Sequence, residues 1–127
     1  MKSSKRARTK LSLLAVFATI FMLFNQVSFA KDISSEQAWA SISNGATLID
    51  VRTAEEFAAG HIEGAINIPF DNIVNGISKL TLSPDSEIVL YCRSGRRSGI
   101  ADQSLSEAGF TNSMNAGGFN ALKDSKP

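Results

Sequence analysis

Glu87-Ile88-Val89-Leu90-Tyr91-Cys92-Arg93-Ser94-Gly95-Arg96-Arg97-Ser98-Gly99 is the stretch on which the reading of this chain turns. Residues 88–91 are apolar at both parities of a two-residue repeat, as a strand covered on both faces in the middle of a parallel sheet must be. The strand ends at Cys92, the single cysteine of 127 residues. A helix is expected from about Arg97 to Ala108, with Gly109 as a left-handed cap and Phe110 packing back on it. In open parallel sheets ligands sit beyond the carboxyl ends of the strands, so the thiol stands at the ligand edge. A strand-to-helix turn aims unpaired N–H groups into one small volume, and the helix dipole adds partial positive charge there. Gly95 and Gly99 ease the turn, while Arg93, Arg96 and Arg97 bring three cations. No acid occurs between Ile88 and Ala101, so these charges lack a local partner. The expected result is an anion cradle formed by Arg93, Ser94, Gly95, Arg96 and Arg97, with the Cys92 pKa pulled below that of a free thiol. Such a thiolate suits attack on an anionic electrophile: thiosulfate, another sulfane-sulfur donor, a phosphate ester or arsenate. The competing reading, an inert buried Cys92 beside solvated arginines, is disfavoured by the run of Gly and Arg around it. The reading requires the sulfur to be both ionised and reachable.

Outward from this segment, strands and helices alternate. Ser34 and Gln37 have capping-box spacing ahead of a helix carrying Ala38, Trp39 and Ile42 on one side and closed by Asn44-Gly45. A β-rich run over 47–51 precedes a second such box, Thr53 and Glu56, and a one- to two-turn helix ended by Gly60. A short strand over 65–68 stops at Pro69, a helix is expected over 72–80, and a last strand over 111–116 leads to Gly117-Gly118. Alternation of this kind predicts a three-layer α/β domain with a parallel sheet and right-handed crossovers. His61, in Gly60-His61-Ile62-Glu63-Gly64, is read as structural, because a thiolate held by a cradle needs no imidazole to take its proton. Asp50 and Arg52 are read as an ion pair tying loops together at the same edge.

The first thirty residues differ from the rest. Lys2, Lys5, Arg6, Arg8 and Lys10 precede fourteen uncharged residues, 11–24, and Ser28-Phe29-Ala30 places small residues where a signal peptidase inspects them. The apolar run would span about 21 Å as a helix, short of a ~30 Å hydrocarbon core, so cleavage is expected rather than a retained anchor. The mature chain then starts at Lys31, runs 97 residues over 31–127 and carries eight basic and twelve acidic groups, a net charge of −4. That length supports one compact domain, and that charge does not suit nucleic acid. With one cysteine and one histidine, neither an ordinary Cys/His zinc site nor an intrachain disulfide can be assembled, and no metal or other cofactor is expected. Export through the general pathway, to a bacterial periplasm, completes the expectation.

Two separated groups of residues resemble the rhodanese family of sulfurtransferases. The first is Leu48-Ile49-Asp50-Val51-Arg52 with Glu56-Phe57 and residues 60–69; the second is Tyr91-Cys92-Arg93-Ser94-Gly95-Arg96-Arg97-Ser98 with Asn115-Ala116-Gly117-Gly118-Phe119. The resemblance implies a rhodanese-like domain, a mainly parallel five-stranded sheet between helices, and Cys92 as sulfur acceptor in a six-residue loop, Cys92 to Arg97. It implies double displacement through a Cys92 persulfide. The partners are then a small anionic sulfur donor and a thiophilic acceptor such as cyanide or a thiol, including a protein thiol. Leu122 departs from the family, which often has Trp after the Gly-Gly turn. Related phosphatases use a longer loop with Arg six positions after Cys; here that position is Ser98, which makes phosphatase or arsenate-reductase activity the weaker enzyme reading. A low-turnover persulfide carrier or docking module is the alternative from a different class.

Overall fold

The computed structural model describes residues 30–127, so the expected leader lies outside the described residues except for Ala30. In chain order the elements are α1 (Ser35–Ser43), β1 (Thr47–Asp50), α2 (Ala54–Ala59), β2 (Ile66–Asn67), a 3-10 turn (Phe70–Asn72), α3 (Ile73–Ile77), β3 (Ile88–Cys92), α4 (Arg96–Glu107), β4 (Ser113–Gly118) and α5 (Phe119–Asp124). Both capping boxes form. Ser34 Oγ accepts from Gln37 N–H while the Gln37 side chain accepts from Ser34 N–H, and Thr53 and Glu56 exchange the same pair of bonds. Each box satisfies two amides that a helix start would otherwise leave without partners.

The strands form a parallel sheet in the order β2-β1-β3-β4. A fifth position on the outer side of β4 is reduced to one parallel bridge, Asp32 to Asn115. There Ile33 N–H donates to Asn115 O at 3.0 Å and Asn115 N–H to Lys31 O at 2.7 Å. The segment cannot lengthen into a strand because its backbone turns into the α1 cap at Ser34.

Strand β3 is buried along its whole length, and its alternation divides the core. Ile88, Leu90 and Cys92 face one layer with Ile73, Ile77, Ala101 and Leu105 of α3 and α4. Val89 and Tyr91 face the other with Trp39 of α1 and Leu122 of α5. The departure at Leu122 is accommodated from the opposite element: Leu122 is fully buried and the Trp39 indole N–H donates to its carbonyl at 2.8 Å.

Three expected boundaries move. The 72–80 helix is replaced by the 3-10 turn and the short α3, because Asn72, at φ −119°, leaves the helical basin between them. Leu80 still packs on the core from a turn, so its spacing marked burial and not helix. The 65–68 strand pairs only at Ile66 and Asn67, the two residues facing Ile49 and Asp50 on this edge. The last strand starts later, at Ser113 opposite Ile88, because Thr111 N–H is taken by Pro84 O, and it runs through both glycines.

Leu122→Ala is expected to destabilise the domain by about 2–5 kcal/mol, the usual cost of a buried Leu deletion, read from the urea midpoint. Because Leu122 lies across the sheet from Cys92, the alkylation rate should match the parent under conditions where both proteins are fully folded; a slowed rate there would contradict this division of the core.

Candidate active site

The β3–β4 register shifts at the end of the sheet: Leu90 faces Asn115, but Cys92 faces Gly118. One extra residue on β4 therefore brings the Gly117-Gly118 backbone against the loop that follows Cys92. A Cβ on Gly118 would lie 2.7 Å from Arg93 O, so no other residue fits there without moving the loop. Gly95 turns the chain into α4 at φ +98°, in the left-handed region where glycine is unstrained.

Helix α4 has no side-chain cap at its start, and its first turn carries two arginines and no acid. That arrangement opposes the helix dipole unless an anion sits at the N-terminus. The Cys92 sulfur occupies this place. Gly95 N–H donates to Sγ at 3.0 Å and the Ser98 hydroxyl at 3.3 Å. Burial opposes ionisation of Cys92, but hydrogen bonds from the Ser98 hydroxyl and the amides of Ser98, Ser94 and Gly95 outweigh it, so the thiol is held below its ordinary pKa.

Asn115 organises the same loop from β4. Its Nδ2 donates to Gly95 O and to Asp32 Oδ1, each at 3.0 Å, and its Oδ1 accepts from Gly117 N–H at 3.0 Å and from the Ser98 hydroxyl at 2.6 Å. Ser98 has one hydroxyl proton and two acceptors, Asn115 Oδ1 and Cys92 Sγ. A negative sulfur draws that proton; a neutral thiol leaves it to Asn115.

The expected crowd of unpaired arginines is corrected. Arg97 makes a bidentate pair with Glu56 of α2, Nη1 to Oε1 at 2.7 Å and Nη2 to Oε2 at 2.9 Å. Arg97 holds the Glu56 carboxyl down at about 2. The acid is 41 residues away in sequence, outside the segment around Cys92. Arg93 is exposed and reaches Glu56 only at 3.9 Å, and Arg96 is exposed with no ion pair among the described residues. Ser94 is exposed as well.

Access is the second correction. Cys92 is 1% exposed, so the sulfur sits beneath its loop and not in open solvent. Beside the loop lies a cleft of about 290 Å³ lined by Arg52, Glu56, Arg93, Phe119 and Asn120 among others, but not by Cys92. Its volume lies near the lower limit of ~300 Å³ for ligand pockets, which suits a small molecule.

The Asp50–Arg52 pair forms as expected. Arg52 Nη2 donates to Asp50 Oδ2 at 2.7 Å and to Gly60 O at 2.7 Å, and the guanidinium lies 4.4 Å from the Phe119 ring centroid. Both residues are buried, so the pair joins β1, the end of α2 and the start of α5 around the cleft. His61 is exposed, stacks on Phe57 at 3.6 Å and donates from Nδ1 to Phe57 O at 2.9 Å. It makes no contact with the thiol, consistent with a structural role.

The geometry thus defines an α/β domain whose one cysteine caps a helix N-terminus at the carboxyl edge of a parallel sheet. The rhodanese-like domain family model matches residues 34–125, and the chain belongs to that family of sulfurtransferases. It is 42% identical over 76 residues to thiosulfate sulfurtransferase PspE of Escherichia coli, covering 60% of this chain and 70% of that one. It is 34% identical over 98 residues to thiosulfate sulfurtransferase GlpE of Pseudomonas entomophila, covering 76% and 88%. Among solved structures, the rhodanese with anions from E. coli matches at 36% identity and a TM-score of 0.60, over 65% of this chain and 95% of that one.

Ser98, Asn115 and Glu56 lie within the sequence motifs, but their part in the cradle appears only in the fold. For Asn115 a signal existed: an amide between Met114 and Ala116 in a strand that must be buried requires polar partners.

Ser98→Ala removes the one side-chain donor on Sγ among the described residues, a charge-assisted bond of ~1.5–3 kcal/mol. Titration of the thiolate absorbance should move to higher pH, and alkylation at neutral pH should slow about tenfold. A titration curve superimposable on that of the parent would show that the amides alone hold the anion.

Proposed function

We propose that this protein transfers sulfane sulfur from thiosulfate, or a similar small anionic donor, to a thiophilic acceptor through a Cys92 persulfide. The observation that carries the reading is the set of donors converging on Cys92 Sγ, which favours the thiolate despite burial. In the first step the thiolate attacks the outer sulfur of thiosulfate. A Cys92 S–S bond forms, the sulfur–sulfur bond of the donor breaks, and sulfite leaves with the electron pair. In the second step cyanide or a thiolate attacks the outer sulfur of the persulfide, the new S–S bond breaks, and Cys92 returns as thiolate. The amides that hold the first anion are placed to hold the second. A protein thiol is an acceptor of the same chemistry.

The 1% exposure of Cys92 requires the loop to part before either reagent reaches sulfur. Arg93 and Ser94 are the exposed part of that loop, and Arg93 and Arg96 are the cations available at its rim. The same burial favours a second reading, a persulfide carrier of low turnover that is loaded and unloaded slowly. Names of relatives support the enzyme reading: PspE and GlpE are called thiosulfate sulfurtransferases. We further propose that the chain is exported and cut between Ala30 and Lys31, on the pattern of residues 1–30, and works in a periplasm.

Incubation with thiosulfate should add one sulfur to the intact mass, removable by cyanide, and Cys92→Ser should abolish both this adduct and thiosulfate:cyanide transfer without unfolding the domain. Undiminished transfer in that variant would end the mechanism, and single-turnover loading with negligible steady-state turnover would favour the carrier.

Removing either member of the Arg97–Glu56 pair should move donor use in opposite directions. Arg97→Gln leaves the Glu56 carboxylate with only exposed Arg93, at 3.9 Å, as a cationic partner and should raise the KM for thiosulfate several-fold, an effect that shrinks as salt rises. Glu56→Gln leaves a free guanidinium and should lower it. Unchanged KM in both folded variants would make the pair purely structural.

A further inference from the structure

Asp102 lies on the sheet side of α4, 1% exposed, and the sulfur chemistry makes no use of it. One carboxylate oxygen accepts from the Ser113 hydroxyl of β4; the other accepts from the backbone N–H of Lys31 at 2.7 Å. Among the described residues no Lys, Arg or His side chain forms an ion pair with it. Burial pushes the Asp102 carboxyl up, Ser113 and the Lys31 amide pull it back, and the nearby carboxylate of Asp32 adds to the upward push. A carboxylate this deep with only neutral donors is an incompletely compensated charge.

The donor on its second oxygen is the amide nitrogen of the bond expected to be cut. Hydrolysis of the Ala30–Lys31 peptide consumes one water, leaves a carboxylate on Ala30 and turns the Lys31 amide nitrogen into an α-amine that is protonated at neutral pH. The nitrogen already stands at 2.7 Å from the carboxylate, the length of a charge-assisted N–H···O bond. It is fixed there by the β4 edge, through Asn115 N–H to Lys31 O at 2.7 Å and Ile33 N–H to Asn115 O at 3.0 Å. Leader removal would change the charge of the donor without changing its position.

We propose that Asp102 is a built receptor for the α-ammonium group of Lys31, so that cutting the chain before Lys31 supplies the buried carboxylate with its counter-ion. This rests on the cleavage reading and not on the sulfur chemistry. An uncut chain keeps the neutral hydrogen bond and folds; the cut chain gains an ion pair. The same segment touches the active site, because Asp32 Oδ1 accepts from Asn115, which holds Gly95 and Ser98. Processing therefore tightens the edge against which the cysteine loop rests.

The test compares two purified proteins: one released from a fusion so that Lys31 is the free first residue, the other identical but retaining Ala30 with its own amine acetylated. At neutral pH the Lys31 form should melt about 4–8 °C higher. In the Ala30 form Asp102, raised by burial, contributes most when protonated, and stability falls as pH rises through its folded-state pKa. In the Lys31 form the pair persists until the α-amine, itself raised by Asp102, loses its proton, so the gap between the forms should narrow above about pH 8. Asp102→Asn should erase the gap. If that variant does not fold, Nα-acetylation of the Lys31 form gives the same reading, lowering its melting temperature to that of the Ala30 form. Equal melting temperatures from about pH 5 to 9 would overturn the pairing. An intact mass of the exported protein that places the first residue anywhere but Lys31 would overturn the link to processing. Neither readout depends on sulfur transfer, so each fails independently of the proposed activity.

Discussion

A sulfur atom takes the place of a capping side chain at the start of α4, and much of the surrounding architecture serves to hold that contact. The first turn of a helix has amides without intrahelical partners and a partial positive charge. The cap position is Gly95, with no capping side chain, and Gly95 N–H and the Ser98 hydroxyl point at Cys92 Sγ. The requirement runs outward. Gly95 must take a left-handed conformation, Gly118 must lack a Cβ so that Arg93 O can lie against it, and Asn115 must hold the Gly95 carbonyl from the next strand.

Charge around this contact is rationed by pairing. Glu56 binds Arg97, Asp50 binds Arg52, and exposed Arg93 and Arg96 are left at the rim. The sulfur's lowered pKa therefore comes from short-range donors, and on the proposed reading the rim arginines act on the approaching donor. This distinction matters for salt: amides buried against sulfur are little screened, whereas rim cations are screened within a Debye length of about 8 Å at physiological ionic strength. The sulfur is buried while Arg93 and Ser94 above it are exposed, so on the proposed reading these loop residues stand between the sulfur and any reagent.

Much of the fold was legible because it depends on local patterns. Both helix starts were visible in Ser34-Gln37 and Thr53-Glu56, whose reciprocal hydrogen bonds span three residues. Strand β3 was visible because burial on both faces leaves no polar alternation. The 72–80 segment misled because apolar spacing reports which residues are buried, and a 3-10 turn followed by a short helix can bury Ile73, Ile77 and Leu80 as well as one continuous helix can. The truncated fifth strand was also invisible, since its single bridge exists only where residues 31–33 meet Asn115.

At the site, the residues within a few positions of Cys92 were identifiable from sequence because the loop is contiguous and its chemistry is carried by type: one thiol, two glycines, three arginines. What sequence alone determined is the place of the candidate thiol at the end of a strand, the helix start behind it and the alternating plan of the domain, all consequences of short-range geometry. What only the tertiary structure decided is pairing and access. Glu56 neutralises Arg97 from 41 residues away, Asn115 reaches Gly95 from the neighbouring strand, and Asp102 meets the Lys31 nitrogen across 71 residues. Such contacts depend on which elements the crossovers bring side by side, and a charge's partner, like a sulfur's exposure, is set by that proximity in space and by nothing nearby in the chain.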